Sequence, residues 1–221
     1  MMLGVAQGTR PEQQGGQYLL PVKVHGIKTM SMGYLVTDRT PMVWRGPMAG
    51  GALGQMLEQT LWGELDYLVI DMPPGTGDIQ RTLSQKASVA GAVIVTTPQD
   101  IALLDAQKGI EMFRKVEVPI LGVVENMAVH ICSECGHREH IFGEHGGERI
   151  AREYGVPLLA SLPLALSIRE QTDAGNPTVV AEPESQVTAL YIEAARAVAN
   201  ALAEPGGDVV RQFPEIKISD D

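Results

Sequence analysis

Leu65-Asp66-Tyr67-Leu68-Val69-Ile70-Asp71-Met72-Pro73-Pro74-Gly75-Thr76-Gly77-Asp78 reads as half of a nucleotide switch. The apolar run Tyr67 to Ile70 predicts a buried strand that ends on a carboxylate, Asp71. A Pro-Pro-Gly-Thr-Gly turn follows, and Asp78 stands where a helix would be capped. A buried strand delivering one Asp into a glycine-rich turn suits the Walker B task of holding Mg²⁺ beside phosphates. Gly75 and Gly77 would let backbone N–H groups approach an anion with no side chain in the way. An ordinary strand–turn–helix junction with a capping Asp is the plainer alternative.

The other half of such a switch is absent from the sequence. A phosphate-cradling loop needs a glycine-rich turn that ends in Gly-Lys-Ser/Thr at a helix start. The six lysines are Lys23, Lys28, Lys86, Lys108, Lys115 and Lys217, and none follows a glycine. Arg45-Gly46-Pro47-Met48-Ala49-Gly50-Gly51-Ala52-Leu53-Gly54 is glycine-rich but carries no lysine, and reads as a loop entering a small-residue helix.

Composition sets the frame. With 44% hydrophobic and 20% charged residues in 221, the chain has an ordinary globular make-up. A net charge of −10, from 17 basic and 27 acidic side chains, argues against a nucleic-acid partner. No basic cluster interrupts that acidity, which argues against an anionic membrane surface. No apolar run is long enough to span a bilayer, and there is no basic-then-apolar signal pattern, so the expected compartment is the cytoplasm.

Four segments read as buried strands: Tyr67 to Asp71, Ala92 to Thr97, Pro119 to Glu125 and Pro157 to Pro163. Helical patterns separate them. Asp78 to Ser88 starts at a capping Asp, Leu103 to Lys115 sets Leu104, Gln107, Ile110 and Met112–Phe113 around an amphipathic face, and Gly147 to Tyr154 leads into the last strand. Such alternation predicts an α/β fold, a doubly wound, mostly parallel sheet with crossover helices. Gln17 to Val24 and Met32 to Val36 suggest a hairpin-like excursion or an edge pair, and Gly46 to Trp62 a helix. Residues 183–203 form a long amphipathic helix with Val187, Leu190, Tyr191, Ala194, Val198 and Leu202 on one face. The expected organisation is one domain over residues 1–204 and an acidic tail over 205–221.

In sheets of this kind ligands bind at the carboxyl ends of the strands. That rule would gather Asp71 with its turn, Thr97-Pro98-Gln99-Asp100 and Glu125-Asn126-Met127 on one rim. Asn126 offers a donor and an acceptor to a base edge, or equally holds a local turn.

Beyond the rim lies His130-Ile131-Cys132-Ser133-Glu134-Cys135-Gly136-His137-Arg138-Glu139-His140. Two thiolates at C-x-x-C spacing reach one metal centre, and a tetrahedral centre needs four ligands. His137 or His140 with His145 would complete a zinc knuckle. The same cysteine pair from a second subunit would complete a four-thiolate cluster site. A dithiol redox couple is the third reading. Spacing alone does not separate zinc from iron–sulfur.

Taken together, these residues resemble the Mrp/ApbC family of iron–sulfur cluster carrier ATPases, relatives of MinD and the nitrogenase iron protein among deviant P-loop NTPases. The matching stretches are Met42 to Met48, Leu65 to Asp78, Gly91 to Ala106, Ile120 to Met127, Cys132 to His137, Ile141 to Gly143 and Pro177 to Val180. The resemblance implies a SIMIBI-type P-loop NTPase fold whose N-terminal strand and phosphate loop are missing from this sequence. It implies a homodimer in which Cys132 and Cys135 hold a bridging [4Fe–4S] cluster that is passed to apo iron–sulfur proteins, with ATP hydrolysis coupled to transfer. Asp71 would help place Mg²⁺, Pro74, Gly75 and Gly77 would lie along the phosphates, and Asn126 and the Pro163 region would face the base.

Two departures stand out. In the family a lysine-rich loop, a strand and an aspartate-containing segment come before the point where this sequence begins, which suggests a shortened chain, a misplaced start or a degenerate paralogue. Residues Gly143-Glu144-His145-Gly146-Gly147 depart from the family's small-residue pattern. From the first departure follow two expectations: self-association through unpaired edges, and no ATP turnover by this chain alone. A non-hydrolysing scaffold or partner subunit is the alternative function, and a zinc-binding Cys/His protein the other.

Overall fold

The computed structural model describes residues 2–35, 46–72, 79, 82–83, 86–132 and 134–203, with only the backbone described at 46–49. The turn residues Pro74, Gly75 and Gly77, the capping Asp78 and the acidic tail 205–221 lie outside the described residues.

The chain opens with two short antiparallel hairpins, β1 (Gln13–Gln14) with β2 (Tyr18–Leu19), then β3 (Val22–Val24) with β4 (Ile27–Thr29). The second hairpin turns on His25 and Gly26, both at positive φ (47° and 79°), the backbone twist that two-residue hairpins favour. Leu19 docks on the residues following α2 (Gly46–Glu58): its N–H donates to Gln59 O (2.8 Å), and its carbonyl accepts from Leu61 N–H (2.8 Å). Met32–Leu35, expected as an extended run, is instead one helical turn, α1. The small-residue face of α2 approaches the next helical stretch closely. A Cβ on Gly50 would stand 2.8 Å from Thr82 Oγ1, and Lys86 Nζ pairs with Glu58 Oε1 at 2.7 Å.

The main sheet is parallel, β5 (Ala92–Thr96), β6 (Ile120–Glu125) and β9 (Leu158–Ser161), in the order β5-β6-β9. Three of the expected strands are thus present, and crossover helices join them. The helix α3 (Asp100–Lys115) follows β5, and α4 (Gly146–Tyr154) precedes β9. A carboxylate at the start of α3 and Arg114 and Lys115 at its end match the helix dipole. Its core stripe is Leu103, Ala106 and Ile110, spaced i, i+3, i+7. Leu104, expected on that face, is 53% exposed, because one residue along a helix turns the side chain by about 100°.

Ile94, Val123, Leu103, Ala106, Ile110, Ile150 and Ala151 make one core on this side of the sheet. Strand side chains alternate, so buried Val124 lies on the opposite face, where α7 (Gln186–Ala203) packs along β6 and β9. The half-buried face of α7 includes Val187, Leu190, Tyr191, Ala194, Val198 and Leu202, as the periodicity predicts. Two helices absent from the sequence reading, α5 (Leu166–Asp173) and α6 (Thr178–Ala181), connect β9 to α7.

The remaining expectation fails. Tyr67 to Asp71 is not a buried strand: the segment is irregular, with Tyr67 62%, Leu68 44% and Val69 89% exposed, and Asp71 is exposed as well. A buried strand needs a ladder partner, and among the described residues this run pairs with no strand. Without a neighbour to accept its backbone groups, the run stays in contact with water.

Two measurements check this architecture. Replacing Ile110, which is fully buried, by Ala should cost about 2–5 kcal/mol in chemical denaturation, whereas Ile101→Ala, 72% exposed, should stay within about 0.5 kcal/mol. The exposed apolar run should drive concentration-dependent self-association, seen by light scattering and weakened by Val69→Asp; a chain that stays monomeric at high concentration would contradict it.

Candidate functional site

The carboxyl ends of β5, β6 and β9 converge on one rim. Asn126 N–H donates to Thr96 O (2.7 Å), and Leu162 N–H donates to Glu125 O (2.8 Å), which carries Pro163 to the same edge. Of the segments expected there, Thr97–Asp100 and Glu125–Met127 are brought together, while Asp71 sits on the exposed irregular run. Asn126 Oδ1 accepts from Met127 N–H (2.9 Å), where Met127 stands at φ 56°. The side-chain oxygen therefore serves the local turn, one of its two expected roles.

From that rim the chain runs into β7 (His130–Ile131), turns through the cysteines and returns as β8 (Arg138–Glu139). The turn is closed by Gly136 N–H to Cys132 O and by Cys132 N–H to His137 O, both 2.9 Å. Gly136 sits at φ 70°, a conformation suited to glycine. Cys132 is half-buried and Cys135 exposed, and both are free thiols. The Cys132 thiol is pulled below its ordinary range, chiefly by hydrogen bonding from the Cys135 backbone, then from the Glu134 backbone and the Cys135 side chain. A thiolate is the nucleophilic and metal-ligating form, so the turn favours the chemically competent state.

Two of the three histidines expected to complete a zinc knuckle, His140 and His145, have partners elsewhere, while His137 is exposed on the turn. His140 Nδ1 lies 2.9 Å from Ala128 O and its Nε2 3.8 Å from Glu144, and His145 Nδ1 lies 3.1 Å from Glu148. Among the described residues no group of three or more His, Cys, Asp or Glu side chains could hold a metal ion. Within one chain, the turn offers two sulfurs.

The sequence reading missed the side chain of Glu125. It is only 5% exposed, and its Oε1 accepts Gly147 N–H (2.8 Å) while Oε2 accepts Ser161 Oγ–H (3.3 Å). The available signal was a carboxylate ending the apolar run Ile-Leu-Gly-Val-Val-Glu. Loss of water by such a group requires donors nearby.

A parallel α/β sheet with a rim at its strand ends carries a C-x-x-C hairpin beside that rim, so two thiols stand next to the edge where such sheets bind ligands. The family model for ParA, described as NUBPL iron-transfer P-loop NTPase, matches residues 1–199, and the chain belongs to that family. An iron–sulfur cluster carrier protein of Pseudomonas fragi is 64% identical over 195 residues, covering 88% of this chain and 68% of that protein. The protein of the same name from Escherichia coli K12 is 61% identical over 198 residues, covering 90% of this chain and 53% of that one. The chain thus spans about half to two-thirds of the length of these relatives. Among solved structures, an Archaeoglobus fulgidus nucleotide-binding protein in complex with ADP superposes with a TM-score of 0.65 at 35% identity, covering 81% of this chain and 68% of that one. No described helix is long and apolar enough to cross a membrane.

The lowered thiol gives a pH prediction. In the folded apo-protein Cys132 should be alkylated with a pH midpoint below the ordinary value of 9.0, and in denaturant the midpoint should return towards it. Because the folded thiol releases its proton more readily, this group adds stability as pH rises from its folded midpoint to the unfolded one, and that increment disappears on acidification.

Proposed function

We propose that this chain is the cargo-holding part of an iron–sulfur cluster carrier. Cys132 and Cys135 supply two thiolates, and the same pair from a second copy completes a [4Fe–4S] cluster at a homodimer interface. The cluster is cargo, and its acceptors are apo iron–sulfur proteins. The observation that carries this reading is the turn itself: two surface thiols of one hairpin, with backbone N–H groups directed at the Cys132 sulfur and no third ligating group gathered beside them among the described residues. The names of the relatives and the exposed Ile131 (44%) and Ile141 (52%) flanking the turn support it, since a paired surface needs apolar area to bury.

In the same reading, residues 1–204 act as one domain with 205–221 as a tail, and the protein works in the cytoplasm. By the family resemblance, ATP with Mg²⁺ would lie at the rim with Asn126 and Pro163 towards the base. The roles of Asp71 towards the metal ion and of Pro74, Gly75 and Gly77 towards the phosphates rest on that resemblance alone, since Asp71 stands on an exposed irregular run. Hydrolysis is a separate matter. Transfer of the γ-phosphoryl group needs cationic stabilisation of the transition state, and no lysine here stands in a Gly-Lys loop. The chain as it stands therefore holds cargo without turning over ATP.

Anaerobic reconstitution with iron and sulfide tests the proposal. The expected product is a dimer with a broad visible thiolate-to-iron absorption, lost in Cys132→Ala and in Cys135→Ala. One zinc per chain and no sulfide would overturn it. Steady-state assays should give no ATP turnover, and Asp71-dependent turnover from a pure sample would refute that part. Co-purification with a P-loop-bearing partner, in place of a homodimer, would favour the scaffold role.

A further inference from the structure

The segment bearing the cysteines leaves the sheet after β6 and returns to it at α4. Its two ends are tied by one side chain. Glu125 closes β6, and its Oε1 accepts the N–H of Gly147, 22 residues further on, at 2.8 Å in a buried contact. Gly147 is in the first turn of α4, where N–H groups have no partner within the helix and the dipole favours a negative charge. Ser161 Oγ–H holds the second carboxylate oxygen at 3.3 Å.

The fit is close. A Cβ at Gly147 would stand 2.7 Å from the Glu125 Cβ, so a side chain there would push the two segments apart. Above this contact the neck is bonded to the strand that extends β9. Ala128 N–H donates to Leu162 O and Leu164 N–H to Val129 O, both 2.9 Å, while His130 Nδ1 lies 3.1 Å from Leu164 O. Further out, His140 Nδ1 lies 2.9 Å from Ala128 O and so ties the returning strand to the same neck, while Ile131, Cys135 and Arg138 are exposed. The orientation of the cysteine turn is therefore decided at the neck.

We infer that Glu125 is a positioning residue for the cysteine site: its carboxylate clasps the neck of loop 126–146 and so sets how both thiols are presented. The role in cargo retention rests on the reading of Cys132 and Cys135 as cluster ligands, while the clasp itself does not.

The test uses the full chain with Glu125→Ala, Glu125→Gln and Gly147→Ala. Hydrogen exchange is measured on the apo-protein, and loss of iron to a chelator is measured after anaerobic reconstitution. In Glu125→Ala, amides of Gly147, Ala128, Cys132 and Gly136 should exchange about ten- to a hundredfold faster, as expected for loss of one buried charged acceptor, with Ile94, Ile110 and Val123 unchanged. Glu125→Gln keeps an acceptor for Gly147 and should restore most of the protection. Iron release should accelerate and recover in the same order. Should Glu125→Ala fail to fold, Gly147→Ala carries the same comparison. Unchanged loop exchange, or faster exchange spread evenly over the core, would overturn the clasp. Loop-limited exchange in a wild-type chain that takes up no cluster would leave the clasp standing and defeat the proposed function instead.

Discussion

A carboxylate at the end of β6 has been taken out of water, and the site end of the molecule is arranged around satisfying it. Glu125 cannot remain buried without donors, because an uncompensated buried charge costs several kcal/mol or more. The donors it finds are the first turn of α4 and the hydroxyl of Ser161 on β9. Meeting that one demand fixes three elements with respect to each other: the end of β6, the start of α4 and the end of β9. The rim and the cysteine hairpin both hang from that junction.

The junction is firm because of what lies beneath it. Ile110, Ile150 and Val123 are essentially inaccessible to water, and they hold α3 and α4 against the same face of the sheet. Core packing of this density permits little sliding, so the helix start reaches Glu125 in a defined register. Rigidity then falls away outward. The cysteine turn is built on short strands and local backbone hydrogen bonds, with Cys132 half-buried and Cys135 exposed, the accessibility that the proposed exchange of a metal cargo would need. Stiff support and an accessible tip are complementary properties of one loop.

Much of this could be read from the residues, and the exceptions share a cause. Ala92–Thr96, Ile120–Glu125 and Leu158–Ser161 are short apolar runs that pair with one another, so local pattern and tertiary environment agree. Tyr67 to Asp71 has the same pattern and a different fate, since a strand is defined by its neighbours as much as by its own side chains. Leu104 was placed on the wrong side of α3 because two adjacent leucines leave the phase of a helix ambiguous until the sheet selects one. The cysteine pair was visible from spacing. The diversion of His140 and His145 to Ala128, Glu144 and Glu148 was not, because those contacts depend on how the hairpin folds back. Glu125 was legible only as a rim residue, its clasp on Gly147 being a long-range contact that no local pattern encodes.

The two-sulfur turn has a consequence in mass action. A four-thiolate centre assembled from this hairpin needs two chains, so its formation is second order in protein, and its occupancy falls with dilution more steeply than that of a site contained in one chain. Under the proposed function, loading would be favoured where chains are concentrated, and separation of the two halves would strip the cargo of half its ligands at once. The count of sulfurs on one turn would then make concentration itself a determinant of whether the metal is held or given away.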